Sequence, residues 1–367
     1  MNETFVCTHC GETWDIEDRN CFDGSELCPD CFDEETVVCE NCGRRVWADD
    51  AADSSIVLCQ RCYDNYYTSC ENCGRTIHQD DAYYFDDDDD YPYCHSCYEQ
   101  RSSCEYIHDY NFKPEPIFYG ESSRYFGVEL EIDNGGHDDS NAEKICDVAN
   151  TADEKCIYIK HDGSLNEGME IVTHPMSLDY HLNEMPWEDV MNKAKNLGYL
   201  SHKTNTCGLH IHVNRSAFGD THEEQEERIS RVLFFVERFW QELLKFSRRS
   251  ESQLARWAAR YGIKENPKAT LDNAKKNYSG RYTCVNLTNY HTIEFRIFRG
   301  TLKYNTLAAT LQLVNKICDI AVSMTDEELT LLNWCDFVSS VEEPELITYL
   351  KERMLYVNEP IDSEEDM

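Results

Sequence analysis

The stretch "FGVELEID", Phe126 to Asp133, is apolar at every second position and places Glu129, Glu131 and Asp133 between the apolar residues. In a strand alternate side chains share a face, so Val128, Leu130 and Ile132 turn into a core while three carboxylates line the other side. Neighbouring same-face carboxylates stand roughly 7 Å apart, and two such charges repel by about 0.6 kcal/mol in water and about 2.4 at an effective dielectric of 20. A bound cation would reverse the sign, whereas an amphipathic strand with a wet outer face would read the same way.

Three further segments repeat the pattern. "HDGSLNEGMEIVTHP" (161–175) ends in an apolar strand that contains Glu170. "CGLHIHVNRSAFG" (207–219) sets His210 and His212 on one face, against Leu209, Ile211 and Val213 on the other. "HTIEFRIFRG" (291–300) alternates Ile293, Phe295 and Ile297 with Thr292, Glu294 and Arg296. Each strand buries one face, and the opposite faces together supply carboxylates, imidazoles and a guanidinium, the ligand types of hard divalent cations and phosphates.

Helices are expected around these strands. Thr221 followed by Glu224 fits a capping box, and Ile229, Val232, Leu233, Val236, Phe239, Trp240, Leu243 and Leu244 recur at helical spacing in an insert over 221–280. Further helices are expected over 252–260, 307–323 and 343–354 as packing elements. The tail "DSEEDM" reads as frayed.

The front of the chain follows a different rule. Of the whole chain's 20 cysteines, twelve form six C-x-x-C pairs here: Cys7/Cys10, Cys28/Cys31, Cys39/Cys42, Cys59/Cys62, Cys70/Cys73 and Cys94/Cys97. They fall into three repeats, whose first cysteines recur after 32 and 31 residues. Four thiolates satisfy tetrahedral zinc and leave no position for substrate, so these sites are expected to be structural. The units resemble zinc ribbons or treble clefs, and more loosely LIM-type fingers, from whose spacing the gaps between units depart. Which pairs share a metal is left open, with Cys21, His78, His95, Cys104 and His108 as substitute ligands. The run Asp86–Asp90 reads as a solvated loop, with calcium binding as the alternative. Pro114 and Pro116 disfavour helix, which places a linker over 105–124 between a zinc-binding region (1–104) and a second domain (125–345), with the last helix end and tail over 346–367.

Composition limits the partners. The 367 residues carry a net charge of −36, from 70 acidic and 34 basic side chains, and residues 1–100 contain no lysine. Such a balance argues against a surface built to neutralise nucleic-acid phosphates and favours a protein partner for the zinc units. The apolar runs are too short for a membrane span and the first residues lack the regions of a signal peptide, so an intracellular, cytoplasmic location is expected.

The motifs "FGVELEID", "DGSL" with "GMEIVTHP", "GLHIHVN" and "TIEFRIFRGTL" stand in the order found in the amidoligase family of the glutamine synthetase and glutamate–cysteine ligase superfamily, which the region from about Tyr125 to Leu302 resembles. The resemblance implies an α+β fold, a curved antiparallel sheet like the glutamine synthetase half-barrel, backed by helices. It implies a carboxylate–amine ligase that uses ATP and magnesium or manganese and passes through an acyl phosphate. Carried over by motif, Glu129, Glu131, Glu170, His210 and Glu294 match metal ligands. His212 approaches the nucleotide phosphates, with Glu170 beside the cofactor, and Arg296 faces substrate or the transferring phosphate. Arg281 and Arg299 are further candidates for phosphate charge, and Asp133 and Asp162 for site residues. The substrates would be a carboxylate and an amine, with small molecule, peptide and protein all open. Two other readings compete: a His/carboxylate metallohydrolase centred on His210 and His212, and a non-catalytic zinc-finger scaffold.

Overall fold

A computed structural model describes residues 4–85, 88–101, 106–152, 154–276 and 280–356. The chain divides into two compact units, one of residues 1–103 with 111–114 and one of 104–110 with 115–367.

The first unit repeats one motif three times. Two short strands pair antiparallel around the first cysteine pair: Thr4–Val6 with Thr13–Asp15, Arg45–Trp47 with Thr36–Val38, and Tyr67–Ser69 with Thr76–His78. Inside each turn the first cysteine's N–H bonds a carbonyl five residues on, Glu12, Arg44 or Arg75. Its own carbonyl accepts from Gly11, Gly43 or Gly74, and these glycines stand at φ +77°, +69° and +70°. A side chain there would be strained, which is why the first C-x-x-C of each repeat is followed by glycine. The second pair opens a seven-residue helix: Pro29–Glu35, Gln60–Tyr66 or His95–Arg101. One knuckle and one helix start form a treble-clef-like unit rather than a two-knuckle ribbon. Asp86 and Asp87, the side chains of residues 88–90, Cys104 and the tail from 357 lie outside the described residues.

The second unit is built on a seven-stranded sheet: β1 (Ile107–His108), β2 (Phe126–Ile132), β3 (Ile157–Lys160), β4 (Met169–Thr173), β5 (Gly208–Asn214), β6 (Val285–Asn286) and β7 (Thr292–Arg299). Their spatial order is β1-β3-β4-β2-β5-β7-β6. Every pairing is antiparallel except that of β1 with β3, so the sheet is mixed where an antiparallel one was expected. β1 comes from the stretch expected as linker. Two apolar-polar residues beside prolines carry too little pattern to announce a strand, but parallel edge pairing and the Asp139 carboxylate, which accepts from the Tyr106 and Ile107 N–H groups at 2.6 and 2.9 Å, hold it.

The helices are α1 (Asp139–Ala149), α2 (Leu178–Asn183), α3 (Trp187–Asn196), α4 (His222–Arg238), α5 (Trp240–Ser247), α6 (Glu251–Trp257), α7 (Pro267–Lys275), α8 (Tyr304–Ser323), α9 (Asp326–Leu331), α10 (Trp334–Ser339) and α11 (Pro344–Glu352). The capping box at Thr221 and Glu224 starts α4, both halves present. The apolar stripe of α4 and α5 joins Val128, Leu130, Ile132, Leu209, Ile211, Ile293 and Phe295 in one core, to which α8 adds Leu307, Leu311, Val314 and Ile317. The chain's segment over 252–260 is helical only to Trp257, after which Ala259 bridges Thr283. Among the described residues no helix is long and apolar enough to cross a membrane.

Candidate active site

Strand register brings the polar faces together. Glu129 stands opposite His210, Glu131 opposite Glu170, and His212 opposite Glu294. The core face of the same strands is fully buried, which fixes the register because a one-residue slip would send every carboxylate into the apolar layer. On β7 a bulge changes the simple alternation: Ile211 pairs with Phe295 but Leu209 pairs with Phe298, so Arg296 and Ile297 both oppose His210. Beyond the bulge Arg299, opposite Gly208, returns to the polar face.

His210 is the hub. Its Nδ1 lies 3.1 Å from Glu129 Oε2 and 3.7 Å from Glu294 Oε1, and its Nε2 lies 3.8 Å from Glu131 Oε1. His212 places Nε2 3.1 Å from Glu129 Oε1 and Nδ1 3.1 Å from the Thr292 hydroxyl. Glu294 is held at both oxygens, by the Arg296 guanidinium at Oε1 and by Asn286 Nδ2 (2.8 Å) and Asn289 Nδ2 (3.3 Å) at Oε2. Glu131 accepts the N–H of Gly208. Glu131, Glu170, His210 and Glu294 are all buried, at 3–4% exposure, and a buried carboxylate is stable only when paired.

The pairing is uneven. Burial pushes Glu129 up, but His212 and His210 outweigh it and hold its carboxyl well below the usual range. Glu294 is likewise lowered against burial by His212 and Arg296. Glu170 goes the other way: burial and then the Glu129 charge drive its carboxyl well above the usual range, with Lys160 only partly offsetting them. Glu131 is raised by burial against the pull of His210. Two of the four carboxylates thus lack enough positive charge among the side chains around them, and a divalent cation supplies charge of that sign.

Two donor groups fit such an ion, Glu129–His210–Glu294 and Glu131–Glu170–His210, with the ligand atoms of each within 4.8 Å of one another. Carboxylate oxygens with one imidazole suit magnesium or manganese. All five residues expected as metal ligands therefore meet on one sheet face. Arg296 joins them through Glu294, and its buried Nε makes no hydrogen bond. A cavity of about 430 Å³ opens onto this face, bordered by Glu131, His210 and Arg296, with Asp162 and exposed Arg281 also on its wall. Arg299 points elsewhere: its guanidinium donates to the carbonyls of Thr204 (3.1 Å) and Arg248 (3.3 Å), in a neighbouring pocket.

Asp133 has a different task. It is fully buried and accepts from the N–H groups of Asn134, Asn166 and Glu167 at 2.9, 3.2 and 2.8 Å and from the Thr206 hydroxyl at 2.6 Å. Burial alone would raise its carboxyl, yet these donors hold it below the usual range. It pins the loop that leads into β4.

Three contributors escaped the sequence reading. Lys160 on β3 sits 3.6 Å from Glu170 and packs over the Tyr110 ring at 5.4 Å. Asn286 on the two-residue β6 orients Glu294. Gly208 leaves room at the floor, since a Cβ there would stand 2.5 Å from Arg249 Nη2 and 2.8 Å from His210 Nε2. The glycine directly before L-H-I-H was the available signal for this last one.

In the first unit the cysteines cluster within each repeat: Cys7, Cys10, Cys28 and Cys31; Cys39, Cys42, Cys59 and Cys62; Cys70, Cys73, Cys94 and Cys97. All twelve are free of disulfides, and sulfur separations of 3.9, 3.9 and 3.7 Å for Cys10–Cys28, Cys42–Cys59 and Cys73–Cys94 match the edge of about 3.8 Å expected for a tetrahedron with metal–sulfur bonds of about 2.3 Å. Cys7, Cys39 and Cys94 are lowered to about 6: burial raises each thiol, and the hydrogen bonds donated to its sulfur more than reverse this. One thiolate in each cluster is thus ready for zinc, while burial and the neighbouring cysteines push Cys31 and Cys62 up. None of Cys21, His78, His95 and His108 enters these described clusters.

Residues 141–318 match the family model described as "Putative amidoligase enzyme", which bears out the resemblance read from the strand motifs and supports a ligase-type function. The match begins after β2, so Glu129 and Glu131 lie outside it. Among solved structures the chain is similar to a bifunctional glutathione synthetase from Pasteurella multocida, at 14% identity and a TM-score of 0.34, over 63% of this chain and 46% of that one. The chain thus spans less than half the length of that structure. No curated protein matches.

Proposed function

We propose that the second unit is an ATP- and divalent-metal-dependent carboxylate–amine ligase, and that the zinc units in front of it serve as a docking platform for a protein partner or substrate. The observation that carries the reading is the meeting of Glu129, Glu131, Glu170, His210 and Glu294 in two donor groups on one sheet face, beside an arginine and a cavity. The family match supports the reaction class.

Those five residues would hold magnesium or manganese, which draws charge from nucleotide phosphates. Arg296, within the bulge, would offset the charge that develops on a transferring phosphoryl group, and His212 would approach the phosphates. In the reaction, the substrate carboxylate attacks the γ-phosphorus of ATP, ADP leaves, and an acyl phosphate remains. An amine then attacks the acyl carbon, loses a proton, and expels inorganic phosphate to leave the amide. Lys160 beside Glu170 offsets part of the burial and Glu129 repulsion that raise its carboxyl, leaving the rest to a bound cation, and Asn286 with Asn289 fixes the rotamer of Glu294. The three four-cysteine clusters would hold structural zinc, replacing the core that a repeat of ~30 residues cannot bury.

With magnesium, a panel of carboxylates and amines, and purified full-length chain, ADP and phosphate should appear together only when both substrates are present. Glu129→Ala and Glu294→Ala should each lower the rate by about 10³-fold or more. Variants that turn over like the wild type would remove the assignment.

A further inference from the structure

Next to the carboxylate cavity lies a second, larger pocket of about 840 Å³, lined by His202, Lys245, Arg248, Arg249, Arg299 and Arg353. In a chain of net charge −36 this gathers five fixed cations in one place. Their partners do not neutralise them. Arg299 donates to two backbone carbonyls, Arg353 donates to the Lys245 carbonyl at 2.8 and 3.1 Å, and Lys245 donates to the Met354 carbonyl at 3.1 Å. The carboxylates beside them are Glu352, 3.9 Å from Arg248 and shared with Lys303, and Glu131, whose charge acts on Arg249.

The arginines are also held in place. Arg248 ends α5 in the left-handed region, φ 60°, stacks its guanidinium over the Tyr349 ring at 5.2 Å, and keeps a buried Nε without a hydrogen bond. Burial, then Arg299, Arg248 and Arg353, holds His202 below its ordinary value, as expected for an imidazole inside a positive field. Carbonyl contacts orient guanidinium groups without cancelling their charge, which leaves them competent for carboxylate forks.

Arg249 joins this pocket to the cavity. It borders both, and its Nη2 lies over the bare α-carbon of Gly208, beside Glu131. A chain bound along the arginines would therefore reach the two donor groups at its end. The rest of the lining is the His202 imidazole, Gln241 and Leu244.

We propose that this pocket binds the acidic chain of a peptide substrate, several carboxylates lying along the arginines while one reaches past Arg249 to the donor groups. The substrate role rests on the ligase reading above; the binding itself does not. Fluorescein-labelled hexaglutamate, titrated against the full-length chain by anisotropy, tests it without turnover. Binding should weaken roughly tenfold in each of Lys245→Glu and Arg353→Glu, fall with salt, and persist in Glu294→Ala. Hexaglutamate that fails to bind, or binds both charge-reversed variants as it binds wild type, overturns the proposal. So does displacement by tripolyphosphate at lower concentration than by unlabelled hexaglutamate, which would make the pocket a phosphate site. ADP release without peptide binding removes this proposal and keeps the ligase; peptide binding that depends on both cations, without ADP release from any substrate pair, keeps the pocket and removes the ligase. Thermal melts of both variants within a few degrees of wild type exclude misfolding as the cause.

Discussion

Glu129, Glu131 and Asp133 share one face of a strand by sequence, yet the structure gives them two jobs. Glu129 and Glu131 face His210, while Asp133 sits one step past the end of β2, where three backbone N–H groups and a hydroxyl saturate it. Replacing Asp133 by Ala should therefore lower stability by about 3 kcal/mol, from lost hydrogen bonds to a charged acceptor, as measured by urea unfolding. A variant as stable as wild type that no longer binds manganese would show a ligand instead. Alternation alone could not separate these roles, because the loop donors around Asp133 come from residues 33 and 34 positions away. Lys160 was hidden for a related reason: a lysine at the end of "IYIK" reads as solvated, and only strand pairing with β4 buries it against Glu170. Gly208→Ala should reduce turnover sharply while costing little fold stability, since the added methyl meets three side-chain ends, Arg249, His210 and Glu131, rather than backbone. Steady-state rates alongside melting temperatures check this.

At the scale of elements, strong local patterns translated directly. The capping box of α4, the stripe of α4 and α5, and the four polar-faced strands follow periodicities that a single sequence displays. The misses share a cause as well. β1 and β6 have two residues each, too few for a period, and the β7 bulge is set by pairing with β5 rather than by any residue in "TIEFRIFRG". The cysteine repeats were legible down to the units because spacing is the signal, and the structure adds that pairs cluster within a repeat. Purified protein should carry three zinc ions per chain by elemental analysis, one fewer after Cys39→Ser. Intact-mass analysis that finds disulfides and no zinc would contradict this.

At the scale of the whole molecule, a pH dependence of stability is expected from histidines lowered by burial. His181, fully buried, bonds the Phe126 carbonyl at 3.0 Å and lies 3.2 Å from the Trp187 indole nitrogen, and burial lowers it to about 4. In the unfolded chain it takes up a proton near pH 6.5, whereas in the fold it does so only near 4. The stability that the neutral ring contributes is thus complete above about pH 6.5 and drains away as pH falls towards 4, by roughly 3 kcal/mol in total. Urea midpoints should drop across that window, and His181→Gln should flatten the drop; an equal slope in the variant would place the titrating group elsewhere. Acidity of the chain as a whole, by contrast, concealed the basic pocket, since its cations come from residues 245, 248, 249, 299 and 353 and no short window of sequence shows all five together.

The account stands on the proposal that five residues would hold divalent metal for phosphoryl chemistry. Manganese titration of the zinc-loaded protein, followed by electron paramagnetic resonance with and without ATP, reads that claim directly. Wild type should bind manganese at the sheet face with a signal that changes when ATP is added, and Glu129→Ala and Glu294→Ala should lose both the tight site and the ATP response. Manganese bound equally by wild type and both variants, or a signal indifferent to ATP, would contradict it.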